Sequence, residues 1–264
     1  MTIEAGHPYG TLRLGTVVIV VSVAALVLLG ASGSAVASSG AGASKADALV
    51  AQTRAAMARA GSVRAQGAGT TTVPGVGRAT VTETDYAGST SGSQVVAMTS
   101  PTAGAAMLPS ATTVDVSGDV YVNADAPFWT ASVGMASAPA GRIAGQWVRV
   151  PASGPVYASA AADLTMPSLI QDMFHARRYR LGAVRTVDGV RTVAITYRNT
   201  GNDAGPVTCD VATAGSHLPV QVTIGGLSLH LGSWGRTQPL AAPAGVVPLP
   251  SLSSSTASGL PVVA

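Results

Sequence analysis

From Val63 onward, apolar and polar residues alternate with a period of two, the spacing that sends successive side chains to opposite faces of a β-strand. The alternation predicts strands over Val63–Thr72, Arg78–Tyr86 and Gln94–Thr99, with turns at Pro74-Gly75 and Gly88–Gly92. Thr113–Val116 and Val120–Val122 read as a hairpin about Ser117-Gly118-Asp119, and Gly145–Val150 alternates again. Arg178–Val187 and Val190–Arg198 flank Asp188-Gly189, a strong two-residue turn signal. Pairing across that turn sets Val184 opposite Val193 and Arg180 opposite Tyr197. Leu218–Ile224 and Leu227–Leu231 flank Gly225-Gly226 in the same way. Here Ile224/Leu227, Val222/Leu229 and Val220/Leu231 share one face, and Thr223/Ser228 and Gln221/His230 the other. A slip of one residue would put every leucine in water, so this register is well specified.

Two stretches carry the helical period instead. Ser44 is placed to cap a helix, with Asp47 at the capping-box position, and Leu49, Val50, Thr53, Met57 and Ala60 fall on one face. Gly61 supplies the left-handed stop. Asp163–Phe174 is the second helix, with Leu169, Ile170, Met173 and Phe174 as its apolar stripe and Pro167 tolerated in the first turn. Antiparallel strands with short turns and few helices define an α+β chain. The expected fold is a large curved antiparallel sheet whose concave apolar face is covered by those helices.

The N-terminal region has another character. An apolar run, Leu14–Leu29, follows Arg13, and no further charge appears before Lys45. The run is short for a membrane-spanning helix, which needs about 20 residues. Ala35-Val36-Ala37 forms an A-x-A site, so residues 1–37 read as a signal peptide, the alternative being an uncleaved N-terminal anchor. Either way, the bulk of the chain is expected to be exported. Residues 38–44 form a linker, 45–250 the folded domain, and 251–264 a Ser-rich tail expected to be disordered. Cys209 is the sole cysteine, so the exported fold has no intrachain disulfide to rely on.

Composition narrows the chemistry. Only 10% of residues are charged, and the net charge of +3 comes from dispersed arginines with a single lysine, Lys45. Phosphate recognition needs clustered cations, so no nucleic-acid partner is expected. There is no G-x-S-x-G elbow, H-E-x-x-H, phosphate-binding loop or C-x-x-C pair, and neither a cofactor nor a metal is expected. Asp172 and His175 read as a solvated helix end; His217, His230 and Cys209 lack partners that would define a catalytic or metal site. Aromatics make up only 4% of the chain, yet Phe128, Trp129 and Trp147 lie close together. They form, with Val133, Met135, Leu169, Ile170, Met173 and Phe174, a candidate lining for an apolar pocket between sheet and helices. The plainer reading is that the same residues are core.

Certain stretches resemble a known family. These are the helix-to-strand passage Leu49–Gly67, the G-D-x-Y-V-x pattern leading to Phe128-Trp129 within Val116–Trp129, and Gly145-Gln146-Trp147-Val148. The closing Leu218-Pro219, Trp234-Gly235 and Ala242-Pro243-Ala244 complete the set. Together they are similar to the LolA/LolB-type half-barrels, and specifically to actinobacterial cell-envelope lipoproteins of the LppX/LprG kind. The resemblance implies a non-enzymatic carrier of lipid, lipoprotein or glycolipid, working with a membrane transporter or envelope acceptor. Family members are tethered through a lipobox cysteine; here Ser32 stands in that place, so the implied membrane association is transient or through an uncleaved N-terminal segment. The alternative is an envelope binding or sensor module of the same fold, with a closed core and a protein partner.

Overall fold

The computed structural model describes residues 44–73, 77–101, 108–154, 156–176, 178–198 and 206–250. The expected signal or anchor, the Ser32 position, the Pro74-Gly75 turn and the 251–264 tail lie outside the described residues. Among the described residues, no helix is long and apolar enough to cross a membrane.

The elements run α1 (Lys45–Ala60), β1 (Val63–Val73), β2 (Gly77–Ala87), β3 (Ser91–Thr99), β4 (Ser110–Val116), β5 (Asp119–Ala124), α2 (Ala126–Ala131), α3 (Ser137–Ile143) and β6 (Trp147–Val150). They continue with α4 (Tyr157–Ala161), α5 (Met166–Met173), β7 (Arg180–Val187), β8 (Val190–Arg198), β9 (Pro206–Ala212), β10 (Pro219–Ile224), β11 (Leu227–Gly232) and β12 (Val247–Pro248). All 12 strands form one curved, open sheet in the order β12-β6-β5-β4-β3-β2-β1-β11-β10-β9-β8-β7. Every pair is antiparallel except β12 with β6. Two meanders, β1–β6 and β7–β11, are joined edge to edge by β1 against β11. That seam is tight: a Cβ on Gly67 would stand 1.8 Å from the Ser228 carbonyl oxygen, so glycine is required for the strands to approach.

Local chemistry sets the element ends. Ser44 accepts from the Asp47 amide at 3.1 Å and Asp47 answers the Ser44 backbone, a complete capping box. Gly61 closes α1 at φ 70°, its N–H donating to the Met57 carbonyl. Ser117-Gly118, Asp188-Gly189 and Gly225-Gly226 are tight hairpin turns, each with positive φ at both central residues. Thr165, with Ser168, caps α5, so this helix begins three residues later than the sequence suggests; Asp163, at φ 59°, belongs to the turn before it.

Register follows expectation with one correction. Val184 lies opposite Val193, but Arg180 pairs with Thr196 and not Tyr197. Between Leu181 and Val184 the ladder shifts, because Gly182 and Ala183 together oppose Ala194 in a bulge. In the second hairpin Ile224/Leu227, Val222/Leu229, Thr223/Ser228 and Gln221/His230 pair as expected, and β10 shifts between Pro219 and Gln221 only against β9. The bulge in β7 falls on an exposed edge that also carries Arg180 and Arg185, the features that discourage strand addition. On the opposite face to the core, Arg185 forms an ion pair with Asp210, which is fully buried and also receives the Thr192 hydroxyl.

Helices cover the sheet in two places. The α1 and α5 helices pack together over β1 and β8–β11, enclosing Met57, Val63, Met173, Phe174, Ile195, Cys209 and Val222. The α2 and α3 helices pack over β4–β6, enclosing Trp129, Met135, Ala140, Val122 and Val148. A smaller cluster of Val81, Val96, Met98 and Leu108 lies on β2 and β3.

Candidate functional site

The site begins with the alternation of β2. Ala79, Val81, Glu83 and Ala87 are buried, while Thr80, Thr82 and Thr84 are exposed. Asp85 shares the inward phase, so two carboxyls occupy positions where an apolar side chain is the rule. On β3, Gln94 sits opposite Asp85 and donates through Nε2 to Glu83 Oε1 at 3.0 Å.

A third carboxyl arrives from the turn before α5. The segment Leu164–Met166 is pressed against the start of β3 and the end of β2: the Met166 N–H donates to the Gly88 carbonyl at 2.7 Å, and Leu164 packs over Gly92. This docking brings Asp163 to the same space as Glu83 and Asp85. The space is a cavity between the sheet and α5, enclosing about 50 Å³ and widening to about 560 Å³ when the solvent in and before its mouth is counted. Apart from the three acids its walls are apolar: Val63, Ala65 and Ala87, then Leu169 and Met173 of α5, then Val222, Ile224, Leu229 and Leu231.

Burial raises every carboxyl here. Glu83 is raised by desolvation, partly countered by hydrogen bonding to Asp85 and Gln94. Asp85 is raised well above the usual range, first by burial and then by the adjoining Glu83 charge. Asp163 is likewise raised well above it, by burial and then by Asp172, with which it shares a hydrogen bond. Asp172 is raised by burial and opposed by Asp163 and the nearby His175. Two carboxyls set side by side in a buried space resist ionising together, Glu83 with Asp85 and Asp163 with Asp172. Parts of Asp85 and Asp163 reach solvent, yet the Oδ1 atom of each is shut off from water without a hydrogen-bond partner.

The residues expected to line one pocket divide between two regions. Leu169 and Met173 line the cavity. Ile170 and Phe174 belong to the same core, where Phe174 joins Tyr179 and Tyr197 in an aromatic cluster with ring centroids 5.3–6.4 Å apart. Phe128, Trp129, Val133 and Met135 lie in the separate core over β4–β6 and not at the cavity. There Trp129 is 0% exposed, and Phe128 meets it edge-on at 5.4 Å. Trp147 is half-buried and, by strand alternation, faces away from Val148 and Val150 of that core. The aromatic concentration in the sequence thus lies in and beside the core over β4–β6, away from this cavity.

The other residues considered are placed as follows. His175 Nδ1 lies 2.8 Å from the Asp172 carbonyl, at the end of α5. His230 is paired with Asp188 at 2.6 Å and lies beside Gln221, on the polar face expected of it. His217 bonds the Ala212 carbonyl. Cys209 is fully buried, and burial pushes its thiol far above the ordinary range. Among the described residues, no group of three or more His, Cys, Asp or Glu is arranged to hold a metal ion.

Glu83, Asp85 and Asp163 were not singled out in the sequence. The available signal was their phase: Ala79 and Val81 run in step with Glu83 and Asp85, while the threonines between them suit either face.

No family model matches the chain, and no curated protein matches it. Solved structures do. LprF from Mycobacterium bovis is similar over 78% of this chain and 100% of its own, at 14% identity and a TM-score of 0.45. The lipoprotein LppX from Mycobacterium tuberculosis is similar over 74% of this chain and 98% of its own, at 15% identity and a TM-score of 0.42. A LolA superfamily protein from Nitrosomonas europaea is similar over 75% and 96%, at 12% identity and a TM-score of 0.29.

Proposed function

We propose that this chain is an exported, non-enzymatic binder of an apolar ligand with acyl or alkyl chains, taken up between the sheet and α5. The observation carrying this reading is the cavity against Leu169 and Met173, apolar but for its acids and open at one side. Burying a hydrocarbon chain contributes about 0.8 kcal/mol per methylene, so a long chain supplies ample affinity without any catalytic group. The enclosed 50 Å³ is well below the roughly 300 Å³ of a small-molecule site, so uptake of a whole chain requires α5 to move off the sheet. A carrier of this kind would exchange its cargo with a membrane transporter or an envelope acceptor.

The same small volume favours a second reading, an envelope module with a closed core that binds a protein partner. Native mass spectrometry of the protein purified from its own host, followed by organic extraction, separates the two. A stoichiometric added mass that extracts as a lipid is expected. A clean unliganded mass, with no uptake when lipids are offered, would establish the closed module instead.

A further inference from the structure

The hairpin β7–β8 stands at one edge of the sheet and is poorly covered. β7 is the outermost strand, and every residue from Arg180 to Thr186 is exposed, so both of its faces stand in water. Of the four large hydrophobic residues exposed among the described residues, three lie here: Leu181 at 42%, Val184 at 52% and Val190 at 39%. Single exposed aliphatics scattered over a surface need no account, but three on one ribbon do. Leu181 pairs with Ile195 and Val184 with Val193, so these two share the core face. Val190, by strand alternation along β8, lies on the other.

The charge of this hairpin is one-sided. Arg178, Arg180, Arg185, Arg191 and Arg198 are all exposed on it or beside it. Arg185 is held by Asp210; among the described residues, the other four form no ion pair. The single acid of the hairpin, Asp188, is bonded to His230. A protein strand adding at this edge would meet the Gly182-Ala183 bulge and the flanking arginines. A partner packed flat against the ribbon would cover the aliphatics of one face only. A lipid interface suits both faces at once. The ribbon enters edge-on, its aliphatics leave water together, and the guanidinium groups reach the phosphate layer on their long stems.

We propose that the edge hairpin β7–β8 docks the protein on an anionic lipid surface, with Leu181, Val184 and Val190 entering the interface and Arg178, Arg180, Arg191 and Arg198 binding lipid phosphates. A guanidinium meets a phosphate through paired N–H donors and gives up its hydration more readily than an ammonium does. Three aliphatics insert only weakly, and the arginines supply the rest, so the contact is reversible and weakens as salt rises. Tyr179, which leads into β7, packs on the core under α1 and α5, so docking at the hairpin holds that core close to the lipid. The docking surface shares no residue with the cavity lining, and it stands whether or not the cavity takes a ligand.

The test uses the protein and its variants produced in its own host, mixed with vesicles of phosphatidylcholine alone or with an equal amount of phosphatidylglycerol. Val184→Cys carries a polarity-sensitive dye, and the fully buried Cys209 does not compete for the label. On the mixed vesicles the dye at residue 184 should shift to shorter wavelength, while the same dye on Thr80→Cys of β2 should not. Arg180→Gln, Arg191→Gln and Arg198→Gln together should lower affinity for the mixed vesicles about a hundredfold, which is about fivefold per charge. Leu181→Ser with Val184→Ser should lower it about tenfold. The same charge removed elsewhere, by Arg59→Gln, Arg78→Gln and Arg142→Gln, should change it about threefold at most. All these side chains are exposed, so urea midpoints should stay at the native value. Equal binding to both kinds of vesicle, a control loss as large as the hairpin loss, or a dye at residue 184 that stays in water would overturn the docking surface and leave the hairpin to a protein partner.

Discussion

One sheet carries two helix-covered cores, and they solve the same problem differently. Over β4–β6 the cover is close: Trp129 is 0% exposed, and Val120, Val122 and Val148 are buried with it. Over β1 and β8–β11 the cover is looser, with a 50 Å³ cavity left beside α5 and three carboxyls let into its wall. Close packing is the ordinary state of a protein interior. A region that departs from it and also buries charge-bearing groups has given up stability locally. Functional sites commonly make that exchange. The comparison teaches that the core filled by Trp129 is the one left shut, while the core bordered by Glu83, Asp85 and Asp163 is the one that keeps a cavity.

The largest effect should come from the shut core. Trp129→Ala removes the largest buried side chain and should lower unfolding free energy by about 3–5 kcal/mol in a urea titration. Binding of an apolar ligand to the surviving folded fraction should be unchanged. A loss of ligand affinity comparable with the loss of stability would mean that the two cores act as one.

A smaller effect is expected where α5 is docked. A Cβ on Gly92 would stand 1.7 Å from the Leu164 carbonyl oxygen and 2.7 Å from that of Tyr86, both backbone atoms that cannot rotate away. Gly92→Ala should therefore cost about 1–3 kcal/mol by overpacking. It should also displace Asp163 from the cavity and weaken binding of an apolar ligand there, which Trp129→Ala should not do. Intact ligand affinity in Gly92→Ala would show that the cavity does not depend on this contact.

Much of the fold was legible because it is written locally. The Ser44/Asp47 cap, the Gly61 stop and the Asp188-Gly189 and Gly225-Gly226 turns each need only a few adjacent residues. So does the alternation that gives the strands. The union of the two meanders through β1 and β11 joins residues far apart in sequence, and nothing local announces it. The Arg180 pairing failed because a bulge at Gly182-Ala183 looks, in sequence, like ordinary alternation. The candidate site was half legible. The apolar stripe of α5 gave Leu169 and Met173, while Glu83 and Asp85 were hidden by flanking threonines that are at home on either face.

The gentlest difference between the two cores should appear as a dependence on pH. Glu83, Asp85 and Asp163 are all raised by burial, so each holds its proton more tightly folded than unfolded. Above the ordinary values of 4.5 for Glu and 3.8 for Asp, the unfolded chain loses those protons while the folded chain keeps them. The folded state then binds more protons than the unfolded one, and stability falls as pH rises until the raised folded values are passed. At the shut core, Asp115 and Asp125 are raised in the same sense, but each also accepts a backbone N–H, from Gly118 and Phe128, that favours its charged form. Urea midpoints taken from acid to neutral pH should therefore decline in the native chain. The decline should be much shallower in Glu83→Gln, Asp85→Asn, Asp163→Asn, and unaltered in slope by Trp129→Ala. A native stability that stays level or rises over that range would mean that these carboxyls are already answered by a partner, and the open core would lose its electrostatic distinction from the shut one.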